Sequence, residues 1–181
     1  MLLLDFQVSV ADQPFAGPAV ERAGVALAAA RAAGVQVIFC KVGFRPKAPE
    51  IALSNPRFGP VRQSGAYQGE DSRIISALHP LPGELVIDKK RVGAFAGNDL
   101  AMILRAGEVR FLILAGLITS GVVLSTCLAA SDDDYVVTVL SDACADRNAA
   151  LHDALLEGVF TRAGQVMTVQ QWTDGLHRAN G

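Results

Sequence analysis

Residues 109–126 read Val-Arg-Phe-Leu-Ile-Leu-Ala-Gly-Leu-Ile-Thr-Ser-Gly-Val-Val-Leu-Ser-Thr, an aliphatic run that passes through a glycine-bounded turn into a segment of helical length. The run from Val109 to Ala115 is apolar at nearly every position instead of alternating, which is the pattern of a parallel strand buried on both faces. The same unit recurs along the chain. Candidate strands lie at Leu2 to Phe6, Val35 to Val42, Glu84 to Asp88, Tyr135 to Ser141 and Gln165 to Thr168, separated by alanine-rich stretches of helical length. Such alternation predicts β-α-β units and an α/β sandwich around a parallel sheet of six strands.

The helices announce their ends. Pro18 to Ala33 carries proline in its first turn and is followed by Gly34, the asymmetry expected of a helix. Asn98 is placed to cap a helix running to about Arg105, and Asp146 or Asn148 to open one that continues to about Thr161, with Asp146 the favoured cap. Residues 43–72 differ, being rich in proline and glycine, carrying Phe44, Arg45, Arg57, Phe58, Arg62 and Tyr67, and showing no period. An excursion of that length is expected to cover a substrate or to meet another subunit.

At 181 residues, 51% hydrophobic and 19% charged, the chain has the material for one domain, taken as residues 1–181. A formal net charge of -2 gives no electrostatic footprint for nucleic acid or an anionic membrane, and small molecules are the expected partners. The apolar start Met1 to Leu4 meets Asp5 at once, too short for a signal peptide or a spanning helix. Cys40, Cys127 and Cys144 are odd in number and stand at no metal-like spacing, which fits a reducing cytoplasm.

In an open parallel sheet, ligands bind beyond the carboxyl ends of the strands. Asp5 ends the first strand, Lys89 follows the third, and the turn at Gly116 follows the fourth. The set Leu-Asp-Phe-Gln at 4–7, Lys-x-Arg-x-Gly-Ala-Phe at 89–95 with Asp99-Leu100, and Ala-Gly-x-x-Thr-Ser-Gly at 115–121 resembles the isochorismatase-like hydrolases in order and spacing. The resemblance continues from Ala129 to Asp146. It implies a three-layer α/β/α sandwich with a parallel six-stranded sheet in the order 3-2-1-4-5-6, and assembly into dimers or larger homo-oligomers.

In thiol-dependent members of that family an aspartate takes the proton of a cysteine that attacks a carbonyl, and a lysine stabilises the developing charge. Matched by motif, Asp5 resembles the aspartate and Lys89 the lysine, but Val122 stands in the place of the thiol. The resemblance also implies an oxyanion hole made by the preceding turn, with a cis peptide at Leu117-Ile118. Gln7, Phe95, Leu117, Ile118 and Val122 are the expected substrate-binding positions around Asp5 and Lys89. Metal-dependent members carry Asp-x-His after strand two, where this chain reads Lys41-Val42-Gly43-Phe44-Arg45-Pro46, so neither metal nor cofactor is expected.

Valine has no nucleophilic atom, so a covalent intermediate at 122 is excluded. Cys127 lies five residues on and points about 140° away on the same helix. Ser120, Ser125 and Thr119 are near in sequence, but no histidine is expected to activate them. His79, His152 and His177 read as surface or capping residues, and Asp132 to Asp134 as a solvated helix end. The isochorismatases of the family also lack the thiol and cleave a vinyl ether by proton delivery from the aspartate. The expected activity is therefore thiol-independent hydrolysis of a small organic molecule, an enol ether, or an amide through activated water, with Asp5 as acid/base and Lys89 as its electrostatic partner. The alternative is a catalytically silent binding or assembly protein that keeps the fold.

Overall fold

The computed structural model describes residues 1–179, with the side chains of His177 and Ala179 left undescribed. Six strands are present: β1 (Leu2–Leu4), β2 (Ile38–Val42), β3 (Leu85–Lys89), β4 (Phe111–Leu117), β5 (Val136–Ala145) and β6 (Gln165–Met167). They form one parallel sheet in the order β3-β2-β1-β4-β5-β6, as the resemblance implied. The helices are α1 (Val8–Ala11), α2 (Gly17–Ala32), α3 (Gly59–Ser64), α4 (Leu100–Ala106), α5 (Leu124–Asp132), α6 (Ala149–Leu155), α7 (Thr161–Ala163) and α8 (Val169–Ala179). π-helical turns at Thr119–Val123 and Leu156–Phe160 lead into α5 and α7.

Alternation along each strand divides the interior into two layers. Leu3, Phe39 and Ala115 face α2 and α8, whereas Leu2, Leu4, Ile38, Cys40 and Leu114 face α4, α5 and α6. Helix α2 buries Ala19, Ala23, Ala26, Leu27 and Ala30, small residues at helical spacing that let it lie close on the sheet. Its predicted proline sits in the first turn, and Gly34 beyond its end takes φ 67°.

The ends differ from expectation where a side chain has other work. Asn148 caps α6 by accepting the Leu151 amide at 3.1 Å, so Asp146 is not the cap. The helix expected to reach Thr161 unbroken passes through the π-helical turn after Leu155. Strand β1 ends at Leu4 because Asp5 takes φ 58° and leaves the extended region. β5 runs to Ala145, beyond the expected Ser141, through an irregularity opposite Leu114 to Gly116. Asp132 to Asp134 are exposed at the end of α5, consistent with the solvated reading.

Candidate active site

Asp5 follows β1 directly, its amide still bonded to the Cys40 carbonyl at 2.8 Å while its left-handed φ turns the chain off the strand. Lys89 closes β3, two strands away, and its side chain is 1% exposed. The sheet spacing separates the two strands by about 9.6 Å. Lys89 nevertheless stays in register with Val42, and its four-carbon arm carries Nζ to 3.0 Å from Asp5 Oδ2, with a second bond to the Arg91 carbonyl at 3.1 Å. Gly93 and Ala94 pack on α5, where the Ala94 amide donates to Thr126 Oγ1 at 3.0 Å.

Burial raises the pKa of Asp5 above the usual carboxylate range, and the charge and hydrogen bond of Lys89 only partly offset it. The two carboxylate oxygens are unlike. Oδ2 is held by the ammonium, whereas Oδ1 is buried with no hydrogen-bond partner. Buried polar atoms are rarely left so, and the residue that carries this one lines a pocket.

The turn after β4 is held closely against β1. A Cβ at Gly116 would meet Leu4 Cβ at 2.7 Å, so only glycine lets the two strands' ends approach as they do. The expected cis bond at Leu117-Ile118 is absent, since no peptide among the described residues is cis; Ile118 redirects the chain through φ 74°. Three amides of the turn already have acceptors: Ile118 N donates to the Ala145 carbonyl at 2.8 Å, Ser120 N to Asp146 Oδ2 at 2.7 Å and Gly121 N to the Ile118 carbonyl at 2.9 Å. Burial works to raise the Asp146 pKa, but the Ser120, Asn148 and Arg147 amides overcome it and hold the carboxyl below the usual range.

His152 is not merely a surface residue, because its Nδ1 lies 2.7 Å from Thr119 Oγ1. The expectation that no histidine approaches this hydroxyl fails for a topological reason: α6 follows β5, the neighbour of β4, and returns over the turn. Thr119 is fully buried and outside the pocket lining, so the pair braces the turn. No free thiol replaces Val122. Cys40 and Cys144 are pushed up to about 12 and Cys127 to about 11, all first by burial.

A pocket of about 170 Å³ joins these parts, lined by Asp5, Lys89, Ile118 and Val122 together with Val10, Val42, Arg57, Phe58, Val61, Tyr67, Val92 and Gly121. The 43–72 excursion thus supplies one wall. Three expected lining residues fall elsewhere. Gln7 is fully buried and accepts the Val42 amide at 2.8 Å, tying β1 to β2. Leu117 lies in the core beneath the turn, and Phe95 stacks on Tyr135 with ring centroids 6.2 Å apart. A second depression, of about 240 Å³, lies around Met1, Val35 and Phe111, with Arg110 its charged lining residue and no acid/base pair.

The family described as "Isochorismatase domain" matches residues 1–171. A ureidoacrylate amidohydrolase of Methylorubrum extorquens is 32% identical over 175 residues, covering 88% of this chain and 71% of the relative. A maleamate amidohydrolase of Pseudomonas putida is 28% identical over 189 residues, covering 100% of this chain and 88% of its own. Among solved structures, an isochorismatase family protein of Burkholderia thailandensis superposes with TM-score 0.87 at 27% identity, over 97% of this chain and 94% of that one.

Proposed function

We propose that this chain, which belongs to the isochorismatase family, is a hydrolase of a small organic molecule that works without a covalent enzyme intermediate. The observation that carries the reading is the asymmetry of Asp5, a residue that lines the pocket together with Val122 and has one oxygen tied to Lys89 and the other buried and unpartnered. Related amidohydrolases support hydrolysis as the reaction class.

A carboxyl whose pKa is raised by burial is suited to hold a proton and deliver it. On an enol ether, Asp5 gives its proton to the terminal carbon of the double bond. Water then adds to the oxocarbenium carbon, and the hemiketal loses the alcohol to leave a ketone. Lys89 stabilises the aspartate once the proton has gone, and the proton released by water returns to Asp5. On an amide, the Asp5 carboxylate instead takes a proton from water as the water oxygen attacks the carbonyl carbon, and passes it to the nitrogen as the C–N bond breaks, leaving a carboxylic acid and an amine. Valine at 122 and the engaged amides of Ile118, Ser120 and Gly121 disfavour an acyl-enzyme route on the amide.

The engaged amides also favour a second reading, in which the pocket binds a ligand without turning it over. A panel of enol ethers, esters and amides separates the two. Turnover of at least one, lost in Asp5→Asn, supports the hydrolase; no turnover, with ligand affinity unchanged in Asp5→Asn, supports the silent binder.

A further inference from the structure

Three charged side chains line the pocket: Asp5, Lys89 and Arg57. The first two are paired with each other at 3.0 Å. Arg57 has no such partner. Its neighbours in the excursion are occupied, Arg45 on Glu50 at 3.0 Å and Arg62 on the Ile51 carbonyl, and nearby Arg91 reaches the Glu50 carbonyl at 2.9 Å and lies over the Phe58 ring. Among the described residues no acceptor meets the Arg57 guanidinium.

The backbone beneath Arg57 is nevertheless fixed. Asn55 Oδ1 accepts the amides of both Arg57 and Phe58, at 3.0 and 2.8 Å, and Phe58 is buried edge-on to Phe44. A Cβ placed on Gly121 would lie 3.7 Å from Arg57 Nη2, which puts the guanidinium over the turn that carries Val122. The remaining side chains of the wall are apolar apart from Tyr67, which brings a phenol. A fixed stem, a free planar fork and an apolar chamber below it make a site for one planar oxyanion on a short apolar body.

We propose that Arg57 is the specificity-determining residue of this pocket and that it clamps a substrate carboxylate, leaving the reacting group toward Asp5. The assignment rests on the pocket being the hydrolase site. A volume of about 170 Å³, below the ~300–1,000 Å³ of drug-sized sites, restricts the substrate to a small monocarboxylate.

Crotonate and its uncharged counterpart crotonamide are the probes, titrated calorimetrically into wild type, Arg57→Gln, Arg57→Lys and Asp5→Asn. Wild type is expected to bind crotonate roughly tenfold or more tightly than crotonamide. Arg57→Gln removes that preference at unchanged thermal midpoint, Arg57→Lys keeps part of it, and Asp5→Asn retains it. Equal binding of the two probes, binding of neither, or a preference that survives in Arg57→Gln overturns the assignment. The hydrolase reading is judged separately by turnover in Asp5→Asn. Loss of turnover there without a carboxylate preference refutes Arg57 alone, whereas a preference abolished by Arg57→Gln in a protein without turnover refutes the chemistry alone.

Discussion

Lys89 Nζ stands 3.0 Å from Asp5 Oδ2 across the width of β2, and both side chains are almost entirely withdrawn from solvent. Removing one partner leaves the other buried without its counter-ion. Lys89→Met is therefore expected to cost about 3–5 kcal/mol, read by denaturant unfolding. Asp5→Asn keeps a hydrogen-bonding shape and is expected to lower turnover by about 10²–10⁴-fold. The double variant should recover part of the lost stability, because neither a lone carboxylate nor a lone ammonium remains buried.

The pH dependence has a defined sign. Asp5 is raised above its ordinary 3.8, so its contribution to stability is full below that value and is lost as pH rises through the folded-state pKa. If Asp5 acts as the acid, turnover follows the same course, high on the acid side and falling through a midpoint above 3.8. Lys89→Met should move that midpoint further upward, because the ammonium lowers the Asp5 pKa. Stopped assays across pH on wild type and variant read the shift. A rate that rises through the same midpoint assigns Asp5 the role of base.

The fold was legible because its strands are aliphatic runs too continuous for any surface, and Asp5 and Lys89 were legible because each stands where such a run ends. Their pairing was harder to read, since it depends on the reach of one lysine side chain across a strand. Arg57 and His152 were not legible. Arg57 sits in a segment with no period, placed by the Asn55 turn and the Phe58 packing. His152 meets Thr119 across 33 residues, a contact created by the return of α6 over β4. Gln7 misled because its backbone position beside Asp5 suggests the pocket, whereas its side chain turns to the Val42 amide.

Asp146 and His152 hold the turn that carries Val122, and their loss should be felt there first. Asp146→Ala frees the Ser120 amide and is expected to cost about 1–2 kcal/mol, a partly solvated charge-assisted bond. The Asp146 pKa is depressed below 3.8, so its stabilisation is present above that value and lost as pH falls through the folded-state pKa. Hydrogen exchange of residues 118–123 reads the loosening, which Asp146→Ala should produce at neutral pH and wild type only in acid.

Val122→Cys puts a thiol on the pocket lining, whereas Cys40, Cys127 and Cys144 stand outside that lining and resist ionisation. Iodoacetamide is therefore expected to label position 122 well ahead of the native cysteines, as peptide mass spectrometry would show. Reactivity is not catalysis. An acyl-enzyme also needs donors for its oxyanion, and the Ile118, Ser120 and Gly121 amides are bonded elsewhere. Removing a single oxyanion donor costs about 10²–10³ in rate, so the variant should alkylate readily yet gain no amidase burst. A burst would show that these amides turn toward the substrate once a thiol is present, and that valine alone separates this chain from the thiol route.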